Sequence, residues 1–429
     1  MSIFKVLWHL RELRKNQWLK TSEIVKIQEK KLRAIVKYAY ENVEFYHRKF
    51  DALGLKPHDI ETVQDLQKLP IISRLDVQRN FPNGLVSTNV SVENCKRYTS
   101  SGSTGIPVTV ICNSKCEDFR GALFMRPFFE CGLKLRDKMV RIADVKNRSS
   151  WYEYFGWMRK ICISPMAPVK NTIPLLEQYK PDVIYGHSSY IFLLAKEIRE
   201  MGVKNISPRI VIGTAELLSK KMRDSIESSF GVKMFDFYGS VEVERLAWEC
   251  EEWNGYHMDI DAQVIEFVRN EEIAAPGERG KIIVTCLYNY AMPLIRYDLG
   301  DVGVASDEKC ACGRGLPLMK RIEGRTNDFL KCPDGRLVSP MAIFAVMDYF
   351  AEIAQFRAIQ EKKNKVVVEI VKGRGFSDKT IHQVVEKVGS IMGEEVLVEP
   401  VVVDHIPRDP TGKMRVVRSR IWGSEQLEL

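Results

Sequence analysis

The chain has 429 residues, of which 45% are hydrophobic and 28% are charged, a balance typical of globular rather than disordered or fibrous proteins. Its 64 basic and 56 acidic residues leave a net charge of +8, without the basic runs interleaved with aromatic residues that mark nucleic-acid binding. No apolar run approaches the roughly 18 residues of a membrane span, so we expect neither a nucleic-acid partner nor stable membrane insertion.

Residues 1–20 mix Trp8, Leu10 and Leu13 with basic side chains but contain no apolar signal core, so we expect a mature chain without a leader. Such a helix either packs on its own protein, which we expect here, or rests on a membrane surface. The 10 cysteines mostly stand singly in apolar surroundings and do not form a disulfide framework. These features predict a protein of the reducing cytoplasm.

Apolar residues at helical spacing predict a helical region from about residue 20 to 55 and a short helix from Val63 to Leu69. From about residue 95 to 325, predicted strands alternate with predicted helices. The strands are PVTVIC, DVIYG, RIVIGT, KMFDFYG and GKIIVTCL, and the helices are SYIFLLAKEIREMG and LLSKKMRDSIESSFG. This alternation is typical of α/β architecture. Beyond about residue 327, FRAIQEKKNKVVVEIV, a helix over Asp378–Met392 and EVLVEPVVVDHIP predict a small α+β domain.

The stretch YTSSGSTGIP, residues 98–107, is rich in hydroxyl side chains and contains Gly102 and Gly105. Because it lies between two predicted strands of one domain, we expect a hairpin-like loop whose N–H and hydroxyl donors converge on phosphate oxygens. The glycines allow the backbone to approach such a ligand closely. The pattern is not G-x-x-x-x-G-K-[ST], and a flexible linker is the alternative.

Four further polar stretches follow in order along the chain. FYGSVEVE, residues 237–244, presents Glu242 after a strand, and LIRYDLGD, residues 294–301, ends in Asp301. RIEGR ends in Arg325, and PRDPTGKMR places Lys413 on a turn rich in proline and glycine. Together the five stretches resemble the motifs of the adenylate-forming superfamily of acyl-CoA synthetases, adenylation domains and luciferases. The chain is most similar to its phenylacetate–CoA ligase branch, with the capsular-polysaccharide relatives.

The resemblance implies that ATP and a small carboxylic acid give an acyl-adenylate and pyrophosphate. It assigns the nucleotide to Ser100, Ser101, Gly102, Ser103, Thr104, Gly105, Gly213, Ala215, Glu216, Asp236, Phe237, Tyr238, Gly239, Ser240, Asp301 and Arg325. Within that set, the serine-rich loop would grip the triphosphate, Tyr238 would lie against adenine, and Asp301 would accept hydrogen bonds from the ribose. Glu242 would hold Mg²⁺, and Lys413 would contact the carboxylate and the α-phosphate. These residue types suit the reaction because cationic groups must offset the repulsion between reacting anions.

The resemblance also implies an α/β fold in two domains. Residues 1–325 would form a large multi-sheet domain that binds ATP and the acid, and residues 326–429 a small, mobile α+β lid domain that carries Lys413. The turn Tyr185, Gly186 and His187 is similar to the turn that walls the acyl pocket in relatives, although His187 satisfied within its own turn is the alternative. Relatives imply a homodimer.

The acyl acceptor is left open. TNDFLKCPDGRLVSP, which follows Arg325, lacks the RGVNVFP-like continuation of aryl-CoA ligases. The candidates are transfer of the acyl group to CoA, its transfer to an amine or hydroxyl, and transfer of AMP to an acceptor. A non-catalytic nucleotide-binding scaffold held together by zinc is a candidate of another class, against which the presence of Glu242, Asp301 and Lys413 argues.

WECEEWNGYH supplies Cys250 and His257, and KCACGRGLP supplies Cys310 and Cys312. Three thiols and one imidazole are a donor set that suits tetrahedral Zn²⁺. With all four ligands from the protein, such a zinc would be structural rather than catalytic. The spacing is unusual for a zinc finger, and buried or free thiols are the alternative.

Overall fold

The computed structural model describes residues 1–100, 107–143, 156 and 158–422. Its α-helices are α1 (Ile3–Asn16), α2 (Thr21–Asn42), α3 (Glu44–Ala52), α4 (Arg74–Asn80), α5 (Ser114–Glu130), α6 (Val169–Tyr179), α7 (Ser188–Met201), α8 (Lys220–Phe230), α9 (Pro340–Met347) and α10 (Asp378–Met392). Short 3₁₀ turns cover Pro57–Asp59, Gln64–Lys68, Val92–Asn94 and Thr326–Asp328.

The strands of the amino-terminal half are β1 (Lys96–Thr99), β2 (Thr109–Cys112), β3 (Lys138–Ile142), β4 (Arg159–Ile163), β5 (Val183–His187), β6 (Ile210–Thr214) and β7 (Met234–Ser240). They are followed by β8 (Glu244–Glu249), β9 (Tyr256–Met258), β10 (Gln263–Arg269), β11 (Glu272–Ile273), β12 (Arg279–Cys286), β13 (Tyr297–Ala305) and β14 (Leu318–Arg325). The last are β15 (Leu330–Lys331), β16 (Leu337–Val338), β17 (Ile353–Lys362), β18 (Lys365–Lys372), β19 (Leu397–Val402) and β20 (Val417–Ser419).

The chain folds into two compact units, and unit 1 consists of residues 1–132 and 237–321. Its strands lie in the order β11-β10-β12-β13-β14-β9-β8-β7. Along this order, β10 pairs antiparallel with β11 and β12, β12 with β13, β9 with β14, and β8 with β9 and β7. The expected hairpin is present, because β1 and β2 pair antiparallel on either side of the serine-rich loop.

Unit 2 consists of residues 133–236 and 322–429. Strands β6, β5, β3 and β4 run parallel in that order. All five residues of β5 are buried, as expected for a parallel strand covered on both faces. Helices α7 and α8 each end at a glycine with a left-handed backbone, Gly202 and Gly231.

A second, smaller sheet of unit 2 forms in the carboxy-terminal region, in the order β19-β18-β17-β20. Its central hairpin β17–β18 is antiparallel, and β19 and β20 add to it in parallel. Helix α10 has the bounds that the sequence predicts and buries Val384, Val388 and Met392 in the core of this sheet.

These elements confirm the α/β class with a large mixed sheet and a small carboxy-terminal mixed sheet. Helix α1 buries Val6, Leu10 and Leu13 and contacts α5, so the expected packing on the chain's own surface is confirmed. Among the described residues, every helix is too short or too polar to span a bilayer. The division at residue 325 into two functional domains stays a prediction.

Candidate active site

The base of the serine-rich loop is fixed by backbone and arginine contacts in unit 1. Ser100 donates its N–H to the carbonyl of Val108 at 2.9 Å, and its hydroxyl accepts from the Val108 N–H at 3.2 Å. The guanidinium of Arg74, the first residue of α4, also hydrogen-bonds the Ser100 hydroxyl. The remaining loop residues assigned to the triphosphate, namely Ser101, Gly102, Ser103, Thr104 and Gly105, lie outside the described residues.

Tyr238 and Asp301, on two different strands of the large sheet, are joined by a hydrogen bond. Tyr238 lies near the end of β7, and Asp301 lies at the middle of β13. The tyrosine hydroxyl donates to Oδ2 of Asp301 at 2.8 Å, and both residues are buried. A carboxylate offers about four lone-pair positions, so Asp301 can accept from Tyr238 and from a ligand hydroxyl together.

Glu242 is buried beside the start of β13. Its Oε1 lies 3.6 Å from the guanidinium of Arg74 and 3.5 Å from the hydroxyl of Tyr297. Burial and the Glu242 carboxylate raise the pKa of Tyr297, so this phenol stays protonated. Arg74 therefore lies between the two residues that the sequence assigns to phosphate and to Mg²⁺, Ser100 and Glu242.

In unit 2, the turn after β6 contacts the start of α7. Both oxygens of the Glu216 carboxylate accept hydrogen bonds from Ser189: Oε2 accepts from the backbone N–H at 2.9 Å and Oε1 from the hydroxyl at 3.0 Å. Oε1 also accepts from the backbone N–H of Met414 at 2.5 Å. Glu216 thus ties the turn after β6 directly to the residue that follows Lys413.

The turn that carries Lys413 is closed by its own side chains. The Asp409 carboxylate accepts from the backbone N–H groups of Thr411 and Lys413, each at 2.9 Å. Burial would raise the pKa of Asp409, but hydrogen bonds from the Thr411 hydroxyl and from these two N–H groups hold it below its usual value. Arg408 donates to the Gly412 carbonyl at 2.7 Å and to the Ser189 hydroxyl at 2.8 Å.

The predicted acyl-pocket turn ends β5 beside this lysine turn. Gly186 has a φ of +155°, and a Cβ there would lie 2.4 Å from the carbonyl oxygen of Ile142. His187 is buried; burial lowers its pKa, and the charge of Lys413 acts in the same direction. Its Nδ1 has no hydrogen-bond partner among the described residues.

The other predicted nucleotide residues have varied surroundings. A Cβ on Gly213 would lie 2.5 Å from the Ser188 hydroxyl and 3.3 Å from Oδ1 of Asp236, so only glycine fits there. Ala215 has a left-handed backbone with a φ of +71°. Phe237 is a buried core residue whose ring packs edge-on against Phe128.

The remaining predicted nucleotide residues lie at the ends of β7 and β14. Gly239 packs on the backbone of β8, and the Ser240 hydroxyl accepts from the Val243 N–H. Arg325 directly precedes the 3₁₀ turn Thr326–Asp328.

Cys250, His257, Cys310 and Cys312 converge in unit 1, with all their donor atoms within 4.8 Å of one another. The Cys250 and Cys310 sulfurs are 3.5 Å apart, and the Cys312 sulfur lies 3.3 Å from Nε2 of His257. A tetrahedral zinc would separate such atoms by about 3.5–3.8 Å. Nδ1 of His257 lies 3.2 Å from the Leu316 carbonyl oxygen, which leaves Nε2 for a metal.

Sequence reasoning did not single out Arg74, Arg408 and Ser189, which contact predicted site residues or the turn that carries Lys413. None of the three stands out in its local sequence, and each makes contacts with segments distant in the chain. Arg74 reaches Glu242 because Ile72 pairs with Tyr297, and a single arginine gives no local signal of that pairing. The position of Arg408 five residues before Lys413 is the one feature that could have drawn attention to it.

Residues 330–420 match the family model described as the CapK C-terminal domain. The chain is 30% identical over 321 residues to phenylacetate-coenzyme A ligase of Aromatoleum evansii, with 72% of each chain covered. It is 27% identical over 408 residues to phenylacetate-coenzyme A ligase of Thermus thermophilus, with 92% of this chain and 88% of that protein covered.

Among solved structures, the chain is similar to 2-hydroxyisobutyryl-CoA ligase in the postadenylation state, in complex with R3-HIB-AMP. The TM-score is 0.80 at 20% identity, with 95% of this chain and 92% of that chain covered. This likeness confirms the fold. On these similarities, the chain belongs to the phenylacetate–CoA ligase-like branch of the adenylate-forming superfamily and carries a CapK-type carboxy-terminal domain.

Proposed function

We propose that the chain activates a small carboxylic acid with ATP, giving an acyl-adenylate and pyrophosphate. The observation that carries this proposal is the placement of the Lys413 turn in unit 2. That turn is hydrogen-bonded to Glu216, which is assigned to the nucleotide, and its Arg408 donates to Ser189, two residues beyond His187 of the turn assigned to the acid. A lysine in this position is close both to the residues assigned to the nucleotide and to those assigned to the acid.

In the reaction, a carboxylate oxygen of the acid forms a bond to the α-phosphorus, and the bond to the pyrophosphate oxygen breaks. Both reactants are anionic, so a cation near the reacting atoms lowers the barrier. The ammonium of Lys413 supplies this charge from a long, flexible stem. Hydrogen bonds with Asp409 and Arg408 hold the backbone of the turn in one conformation.

We assign nucleotide contacts in unit 1 to Tyr238, Asp301 and Ser100, and the magnesium ion to Glu242. Mg²⁺ is commonly held by one carboxylate together with substrate phosphates, and the buried carboxylate of Glu242 fits that role. The ion would neutralise charge on the phosphates. Arg74, which contacts Ser100 and Glu242, adds a fixed positive charge for the same phosphates.

We assign the acid to the turn Tyr185–His187. Buried polar atoms in proteins almost always have a hydrogen-bond partner, and the Nδ1 atom of His187 has none among the described residues. A polar atom of the bound acid would complete this hydrogen bond. The turn also lies beside the lysine that must contact the carboxylate of the acid.

We propose CoA as the acyl acceptor, because the relatives named above are CoA ligases. An amine, a hydroxyl or an acceptor of AMP is the second candidate, favoured by the segment after Arg325, which lacks the aryl-CoA ligase continuation. We further propose that Cys250, His257, Cys310 and Cys312 hold a structural zinc.

Mass spectrometry of the products tests the proposal. The protein would be incubated with ATP, Mg²⁺ and a panel of aryl, acyl and hydroxy acids, with and without CoA. We expect an acyl-adenylate without CoA and a thioester with it. An adenylate that forms but is not converted by CoA would select the second class of acceptor, and ATP binding without any product would support the scaffold.

A further inference from the structure

Helix α1 has two apolar faces, and its packing accounts for only one of them. Val6, Leu10 and Leu13 form the inner face and are buried. Phe4, Leu7 and Trp8, at helical spacing on the opposite side, are 82%, 49% and 60% exposed. A group of large apolar side chains in water is unusual on a protein surface and marks a site of interaction.

The charges around this outer face are mostly basic, and the half-buried Glu12 is the one acidic residue of α1. The exposed charged residues of α1 are all basic: Lys5, Arg11, Arg14 and Lys15. Arg14 forms an ion pair with Glu130 at 2.6 Å, whereas Arg11 and Lys15 continue the line of Phe4 and Trp8 along the helix. Beyond the helix, the exposed Trp18 and Lys20 repeat the same combination of aromatic and basic side chains.

We propose that the outer face of α1 binds the surface of an anionic phospholipid membrane. The helix would lie parallel to the bilayer, with Phe4, Leu7 and Trp8 in the headgroup–acyl boundary. Arg11 and Lys15 would rest on lipid phosphates, about 10 Å and about 16 Å beyond Phe4 along the helix at 1.5 Å per residue. A helix with aromatic and leucine side chains beside lysine and arginine is the type that lies in this interface.

The charge pattern selects lipid over a second copy of this chain. Parallel pairing of two such helices would bring Arg11 and Lys15 of both copies together, which like charges disfavour. Antiparallel pairing would place them against Phe4 and Trp8 rather than against acidic groups. An anionic membrane complements the basic residues and the apolar ones together. With one short helix, binding is reversible and depends on both contributions.

The test is co-sedimentation of the full chain with vesicles. We expect binding to vesicles of phosphatidylcholine and phosphatidylglycerol at least about tenfold stronger than to phosphatidylcholine alone, and weakened by salt. The double variants Phe4→Ser/Trp8→Ser and Arg11→Glu/Lys15→Glu should each lower binding to anionic vesicles by about tenfold or more.

Matched controls are Tyr349→Ser, an equally exposed aromatic residue elsewhere, and Lys37→Glu, an exposed lysine of α2; both should bind like the parent chain. Circular dichroism would establish that each variant is folded. Three outcomes would overturn the proposal: no binding of the parent chain to anionic vesicles, binding unchanged in both double variants, or a dimer in sedimentation that Phe4→Ser/Trp8→Ser converts to a monomer.

Discussion

At the scale of single residues, the contact between Tyr238 and Asp301 joins two strands that are distant in the sequence. The tyrosine hydroxyl donates to one carboxylate oxygen and so orients the carboxylate within the buried site. An oriented carboxylate accepts ligand hydroxyl groups without first losing rotational freedom. This geometry supports the proposed ribose-binding role of Asp301.

Replacement of Asp301 by alanine therefore tests the ribose assignment. Loss of a hydrogen bond to a charged group costs about 1.5–3 kcal/mol, so the KM for ATP should rise by about tenfold to a hundredfold. Steady-state kinetics would measure it, with the exposed Asp307→Ala as the matched control. An unchanged KM for ATP in a folded Asp301→Ala protein would remove this residue from the nucleotide site.

At the scale of elements, the turn bearing Lys413 depends on a glycine. Gly412 has a φ of +80°, and a Cβ there would lie 2.4 Å from the ring of Pro165. The same glycine donates its N–H to the Asp409 carbonyl, and its own carbonyl accepts from Arg408. Any side chain at this position would displace the turn from its partners.

We expect Gly412→Ala to reduce adenylation strongly and to destabilise unit 2. Gly202→Ala is the matched control because Gly202 has a φ of +67° but nothing within 4 Å of the added Cβ. Gly202→Ala should cost about 1–2 kcal/mol of backbone strain, and Gly412→Ala about 1–3 kcal/mol more from overpacking. Urea denaturation and activity would be compared, and equal behaviour of the two variants would contradict the close fit of the turn.

The Cys₃His cluster also connects secondary-structure elements, because it joins β9 to the segments after β8 and β13. We expect about one zinc per purified chain and its loss in both Cys310→Ser and Cys312→Ser, because each removes one of the ligands. The melting temperature should fall when the zinc is lost, because the binding energy of a structural metal contributes to folding stability. Elemental analysis would measure the zinc, with Cys95→Ser as the control cysteine; one metal per chain in both ligand variants would disprove the assignment.

At the scale of the whole molecule, local sequence patterns predicted the helices and strands, whereas the contacts of the candidate site depend on segments that are distant in the chain. The bounds of α10 and the β1–β2 hairpin follow from apolar spacing and turn residues near each element. The contacts of Arg74 with Ser100 and Glu242 do not, because they depend on the pairing of Ile72 with a strand far along the chain. Likewise, nothing near Glu216 indicates that it accepts a hydrogen bond from Met414.

The central claim is that this chain makes acyl-adenylates, and acid-dependent ATP–pyrophosphate exchange measures that step directly. Over a panel of acids, we expect exchange with at least one acid, lowered by about 10²–10³-fold in Lys413→Ala, as on removal of one preorganised charge. The exposed Lys220→Ala should exchange like the parent chain. A folded protein that binds ATP yet exchanges with none of the acids, or a Lys413→Ala variant with full exchange, would contradict the claim.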